Sequence, residues 1–174
     1  MALDINKMYE RAQAAFKEIE YWPQDKVDEM VNAAGWAWSK EENAMAMARL
    51  AVDESSIGVY EDKVAKIQSK TRGSLWQMRD VKTCGLVEED KEKGLKKYAK
   101  PIGVIANIVP CTNPESTVTA LGVNILKTRN AMIVSPHPRT KGSTNLAVKI
   151  GRDALKKIGA PPDLLQCLAE PSHE

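Results

Sequence analysis

Through the first part of the chain, apolar residues return at intervals of three and four, the period of a helix buried along one side. Ile5, Met8, Ala12, Phe16 and Ile19 make one such stripe, which predicts a helix capped by Asp4 and running to about Tyr21, with Pro23 stopping it or restarting the next. Val27, Met30, Val31, Ala34 and Trp38 keep the period, and residues 41–52 add Ala44, Met47, Ala48 and Ala51 on one side. Gly58 then predicts a break. Val59, Val64, Ile67, Leu75 and Met78 predict a longer helix whose spacing is interrupted at Gly73, because glycine costs about 1 kcal/mol in a helix interior. Together these segments read as a helical hairpin or small bundle.

From Gly85 the period changes. Residues 86–89 and 95–99 predict two strands joined by a charged turn at 90–94, and residues 103–109 form a mostly apolar run of the kind buried in a parallel sheet. Pro110 ends that run. The stretch Pro110, Cys111, Thr112, Asn113, Pro114 is excluded from regular structure by its prolines, and Asn113 is pushed out of the helical region by the ring that follows it. Pro114 suits a first helical position, after which Val118, Leu121, Ile125 and Leu126 line one face up to Thr128. A second buried strand follows at 131–134, a second proline-bracketed loop at 135–138, a helix from about Thr140 to Ile158 stopped by Gly159, and a third strand at 164–168. Strand, helix, strand, helix, strand is a right-handed α/β unit with both loops on one edge of the sheet, the edge where ligands of such sheets bind. The expected fold class is therefore α/β, with an N-terminal helical region over 1–85, a β-hairpin over 86–100 and a parallel-sheet unit over 101–174. No internal repeat or low-complexity segment interrupts it.

Composition narrows the function classes. The chain has 174 residues, 43% apolar and 28% charged, with 25 Lys and Arg against 23 Asp and Glu for a net charge of +2. That is an ordinary globular composition with enough material for one core. No apolar run approaches the roughly 20 residues that cross a bilayer, and the opening MALDINKMYERAQ lacks the basic and apolar segments of a secretory signal, so no membrane partner is expected and the cytoplasm is the default location. Residues 88–100 interleave acids with lysines, which disfavours nucleic acid. Cys84, Cys111 and Cys167 are an odd number without CxxC spacing, so neither a disulfide framework nor a metal cage is indicated.

Candidate chemistry gathers in the two proline-bracketed loops. Asn113 stands where a strand end meets a helix start, so its amide reads either as a donor to a developing oxyanion or as a turn residue and helix cap. Cys111 is beside it, but no base is anchored nearby in sequence and a small apolar filler is the plainer role. His137 occupies the corresponding loop of the next strand and reads as a titrating group, a phosphate contact or a packing residue. The other histidine, His173, is at the far end of the sequence. Arg139, with Thr140, Lys141 and Ser143 around it, reads as an anion site or as a solvated helix start. Neither GxGxxG nor GxxxxGK[ST] occurs, so a bound dinucleotide would lack the usual glycine fingerprint.

The segments KPIGVIANIVPCTNPEST, LKTRNAMIVSPHPRTKGSTNLA and IGAPPDLLQCL, with VYEDKV, KTCG and YAKPIG before them, closely resemble the CoA-acylating branch of the aldehyde dehydrogenase superfamily. The resemblance runs over essentially the whole chain, and is shared with the aldehyde half of bifunctional aldehyde-alcohol dehydrogenases and with acylating sulfoacetaldehyde dehydrogenases. It implies a Rossmann-like dinucleotide-binding domain after the helical region, and a reaction in which a cysteine thiolate adds to a small aldehyde, hydride passes to NAD or NADP, and coenzyme A resolves the thioester. By the same resemblance Val109, Pro110, Cys111 and Thr112 line the nicotinamide side. Asn113 is the oxyanion donor, with Thr112 as the alternative because hydrolytic members read Pro-x-Asn-x-Pro. Ser135, His137 and Arg139 fall in the segment that holds the adenosine ribose; Ser135 and Pro138 replace the lysine and glutamate of hydrolytic relatives, a change that fits the acylating branch. No metal is implied. A homo-oligomer joined through the strands at 86–99 is implied, as is a location in the cytoplasm, a bacterial microcompartment or an enzyme assembly. The family's nucleophile motif contains none of Cys84, Cys111 and Cys167, and LAEPSHE reads as an interruption between strand and helix, so the chain is expected to be an N-terminal portion, inactive alone. The alternative is a non-catalytic nucleotide-binding or subunit-assembly module.

Overall fold

Four helices come first, α1 (Ile5–Ile19), α2 (Gln24–Ser39), α3 (Glu41–Ser55) and α4 (Tyr60–Met78). The computed structural model describes residues 5–171, so the expected Asp4 cap and His173 lie outside the described residues. The apolar stripes are the buried faces: Met8, Ala12, Phe16 and Ile19 on α1, Val27, Met30, Val31, Ala34 and Trp38 on α2, and Ala44, Met47, Ala48 and Ala51 on α3. The interruption expected at Gly73 is absent, and α4 runs straight through it. A Cβ at Gly73 would meet nothing within 4 Å, and packing of α4 on α2, α3 and α5 outweighs the weak propensity of one residue. The core face of α4 carries Lys63, Ile67 and Thr71, one turn apart, and so places two polar residues where apolar ones belong.

Strands β1 (Gly85–Asp90) and β2 (Leu95–Ala99) form an antiparallel hairpin, with a register shift between Leu86 and Glu88, that stands as a separate two-stranded sheet. Then come β3 (Val104–Ile108), α5 (Pro114–Lys127), β4 (Ala131–Ser135), α6 (Lys141–Lys157) and β5 (Leu165–Cys167), with the strands parallel in the order β3-β4-β5. Two short 3-10 turns, Pro138–Thr140 and Pro162–Leu164, take residues that the sequence pattern gives to α6 and to the third strand. Proline at the first turn position explains both.

The two faces of the sheet are covered by different helices, as the alternation of neighbours in β5 requires. Gln166 faces α1, accepting from Arg11 at 3.1 Å and donating to the Met8 carbonyl at 2.9 Å. Leu165 faces the other way, where a Cβ built on Gly151 of α6 would lie 2.7 Å from its Cδ1. On that second face α2 lies across α5 and α6, and its Trp38 is fully buried between them. The indole Nε1 donates to the Ala147 carbonyl at 2.8 Å. A Cβ at Gly122 of α5 would approach Trp38 Cη2 to 2.5 Å, and one at Gly151 would approach Cζ2 to 2.5 Å. Glycine at both positions lets the ring sit directly against two helix backbones. One hydrophobic core therefore runs from α1–α4 into the sheet unit.

The turn after α5 ties the remaining pieces together. Arg129 holds a left-handed backbone (φ 57°), and its guanidinium donates to the carbonyls of Glu20, of Thr83 (3.2 Å) and of Ala99 (3.1 Å). Asn130 Oδ1 accepts from the amides of Ile102 (2.6 Å) and Gly103 (2.8 Å). The end of α1, the connector before β1, the end of β2 and the start of β3 thus converge on two consecutive side chains.

Overpacking a filled core costs about 1–3 kcal/mol, so Gly122→Ala should lower the urea midpoint, whereas Gly73→Ala should raise it by reducing the freedom of the unfolded chain. Equal midpoints for the wild type and Gly122→Ala would contradict the close seat of Trp38.

Candidate functional site

The Val109 amide donates to the Ser135 carbonyl at 3.1 Å, which sets the loops after β3 and β4 side by side at the carboxyl edge of the sheet. In the first loop Pro110 and Thr112 are exposed while Cys111 and Asn113 are half-buried, and in the second Ser135 and His137 are half-buried. Helix α4 fastens the first loop from outside. Lys63 Nζ donates to the Thr112 carbonyl at 2.9 Å, Lys66 Nζ donates to Asn113 Oδ1 at 2.8 Å, and further along Thr71 Oγ1 donates to Thr119 Oγ1 of α5 at 2.8 Å. Gly58, at φ +85°, makes the approach to Lys63 possible, since a Cβ there would lie 3.2 Å from the Lys63 Cε.

Asn113 occupies the cap position of α5 yet its side chain makes no cap hydrogen bond. Its Oδ1 faces Lys66, and its Nδ2 has one long contact, 3.3 Å to Thr112 Oγ1. An ammonium only donates, so the amide oxygen must be the atom that faces it and the NH2 group must point away. Of the two roles open in the sequence, the structure shows the side chain outside the capping role and with donor capacity to spare.

Glu115, in the first turn of α5, is fully buried, with Oε1 3.8 Å from Lys63 Nζ and neither oxygen hydrogen-bonded. Burial pushes its carboxyl above the ordinary 4.5, outweighing its own backbone amide, Lys63 and Lys66, all of which favour the charge.

The head of α6 is filled by the chain itself. Glu54, in the last turn of α3, accepts from the amides of Gly142 (2.7 Å) and Ser143 (2.9 Å). Arg139 donates to the Ser55 carbonyl at the end of α3 at 2.5 Å, and Lys141 pairs with Glu170 at 2.7 Å. The cation-rich helix start is thereby committed to α3 and to the segment after β5. His137 Nδ1 accepts from the Arg139 amide at 3.1 Å, which leaves the neutral ring's proton on Nε2. All three cysteines are free thiols, and burial pushes Cys167 up to about 12. Among the described residues no cluster of three potential metal ligands occurs, and no helix is long and apolar enough to cross a membrane.

The family model described as "Aldehyde dehydrogenase family" matches residues 1–174. The chain belongs to the aldehyde dehydrogenase family. A sulfoacetaldehyde dehydrogenase of Acholeplasma sp is 44% identical over 164 residues, which are 94% of this chain and 34% of the relative. An acetylating aldehyde dehydrogenase from Geobacillus thermoglucosidasius superposes with a TM-score of 0.94 at 34% identity, covering 98% of this chain and 37% of that one. A Rhodopseudomonas palustris propionaldehyde dehydrogenase, with bound CoA and an acylated cysteine, superposes at 0.83 with 26% identity, covering 97% and 36%. This aldehyde dehydrogenase chain therefore spans about a third of the length of the relatives it matches.

Sequence reading places Asn113, Thr112, Cys111, Pro110 and Val109 in one loop and Ser135, His137 and Arg139 near the next, and the structure brings the two loops together at the sheet edge. It misses Lys63, Lys66, Glu115 and Glu54. A signal exists for the first, because Lys63 shares a four-residue period with Ile67 and Thr71, and a lysine on a core stripe needs a partner. Since Glu115 holds its proton more tightly when folded, its contribution is greatest below 4.5 and declines as pH rises through the raised value. Wild type should therefore lose stability relative to Glu115→Gln as pH climbs above that point, measured by denaturant midpoints at several pH values. A difference independent of pH would contradict the assignment.

Proposed function

We propose that this chain forms the N-terminal part of a CoA-acylating aldehyde dehydrogenase, which converts an aldehyde to an acyl-CoA through a cysteine thioester, with the nucleophilic cysteine supplied by sequence outside these 174 residues. The observation that carries the reading is the state of Asn113, whose amide NH2 projects from the loop without capping its helix. When the thiolate adds to the carbonyl carbon, the electron pair moves onto oxygen, and a neutral donor fixed in advance stabilises that charge without reorganising. The names of the similar proteins, acetylating aldehyde dehydrogenase and a propionaldehyde dehydrogenase with bound CoA, support the acylating reaction.

NAD or NADP supplies the hydride acceptor when bound. The residues present fit the nicotinamide, at the first loop, and the adenosine ribose, at the second, better than the phosphates between them. Val109, Pro110, Cys111 and Thr112 on one loop lie beside Ser135 and His137 on the next, joined by the Val109–Ser135 hydrogen bond, whereas the α6 amides of Gly142 and Ser143 are already taken by Glu54. His137 caps the turn by accepting from the Arg139 amide, and the Arg139 guanidinium holds the second loop against α3. The β1–β2 hairpin, a nearly fully exposed two-stranded sheet that is marginal on its own, is proposed to join subunits.

In the complete enzyme, Asn113→Ala should lower turnover roughly 100- to 1000-fold with little change in cofactor affinity, because one oxyanion donor acts chiefly in the transition state. Thr112→Val is the control. Loss of turnover with Thr112→Val and not with Asn113→Ala would give the role to Thr112, and weakened cofactor binding in both would make the loop a cofactor seat only. The chain by itself, assayed with aldehyde, CoA and either dinucleotide, should show no oxidation; turnover abolished by Cys111→Ser would overturn the placement of the nucleophile elsewhere.

A further inference from the structure

A side-chain amide has nearly the same shape with its oxygen and nitrogen exchanged, so only its hydrogen-bond partners decide which atom faces outward. At the first position before a helix, asparagine ordinarily turns its oxygen onto the amides of the second and third helical residues. Asn113 does not, although the amides of Glu115 and Ser116 stand in those places. Its oxygen lies instead on the ammonium of Lys66 at 2.8 Å. Positive charge in the opening turn of a helix opposes the helix dipole, and α4 sets Glu61 and Asp62 in that turn, Asp62 one turn before Lys66. Lys63 and Lys66 both bear on the start of α5: each favours charge on the buried Glu115, and Lys63 holds the carbonyl of Thr112 while Lys66, three residues on, holds the side-chain oxygen of the next residue. Lys63 is buried beside Glu115, whereas Lys66 is exposed and contributes little to the core.

We infer that Lys66 is a positioning residue of the active site: it holds the Asn113 oxygen away from the α5 amides and so turns Nδ2 toward the reacting oxygen. The inference rests on the oxyanion role of Asn113 given above. The ammonium also draws electron density from the amide, which makes the N–H a stronger donor. Without Lys66, Asn113 is free to cap α5, a change that removes the donor while leaving the helix as stable as before or more so.

The test uses the complete enzyme with Lys66→Met, Lys66→Arg, Asn113→Ala, the Lys66→Met/Asn113→Ala double variant, and Lys70→Met as a control one turn further along the exposed side of α4. Lys66→Met should lower kcat about tenfold, leave KM for the dinucleotide unchanged and leave Tm equal or raised, a combination that a purely structural lysine does not give. Lys66→Arg should restore kcat to within a fewfold, the double variant should be no slower than Asn113→Ala, and Lys70→Met should behave as wild type. Retained kcat in Lys66→Met alongside a slow Asn113→Ala would overturn the positioning role and leave the oxyanion reading intact. Multiplied losses in the double variant, or an equal loss in Lys70→Met, would show that Lys66 acts by another route. Full activity in Asn113→Ala would remove the oxyanion reading and the inference with it.

Discussion

A buried indole wedged between two glycines sets the spacing on which the rest of the molecule depends. Trp38 rests against Gly122 of α5 and Gly151 of α6 and is locked by its hydrogen bond to Ala147, so α2 fixes how these helices lie on the sheet. Each of them begins at one of the two proline-bracketed loops. Helix α4 packs on α5 and α2, and the Thr71–Thr119 hydrogen bond holds it in register so that Lys63 and Lys66 reach the loop before Pro114. From Trp38 to Asn113 the path is continuous and consists of packed backbone and short polar contacts.

Both helices that open at the sheet edge have a carboxylate from the chain at their starts, Glu115 within α5 and Glu54 reaching α6 from α3. Glu54 would be unfavourable in the last turn of α3, where the helix dipole is negative, and becomes favourable by facing the positive start of α6. Arg139 completes the exchange by donating to a carbonyl at the end of α3. Two helices thus satisfy one another's ends. The anion-attracting start of α6 is thereby internally neutralised.

Much of this was legible in the sequence because one-sided burial imposes a period. The stripes of α1, α2 and α3 and the buried run of β4 appear where the pattern puts them, and Pro110 and Pro114 mark the loop that carries Asn113, whereas the run of β3 forms a strand whose only buried residue is Asn107, with Ile108 exposed. Gly73 misleads because intrinsic propensity is small against tertiary packing. The loop anchors were not legible, since Lys63 and Lys66 meet Thr112 and Asn113 across separations of 49 and 47 residues, and their meeting depends on how α4 lies on α5. Arg129 is similar: its partners Glu20, Thr83 and Ala99 come from three separate segments, and no local pattern links them.

Asn113 is held as an outward-facing donor and not as a helix cap. A crystal structure of the complete enzyme trapped with a tetrahedral adduct on its nucleophile would show whether that donor meets the reacting oxygen. Asn113 Nδ2 should then lie at about 2.7–3.1 Å from the adduct oxygen, with Oδ1 still on Lys66. An adduct oxygen bound by the Thr112 hydroxyl, with Asn113 Oδ1 turned onto the amides of Glu115 or Ser116, would contradict it.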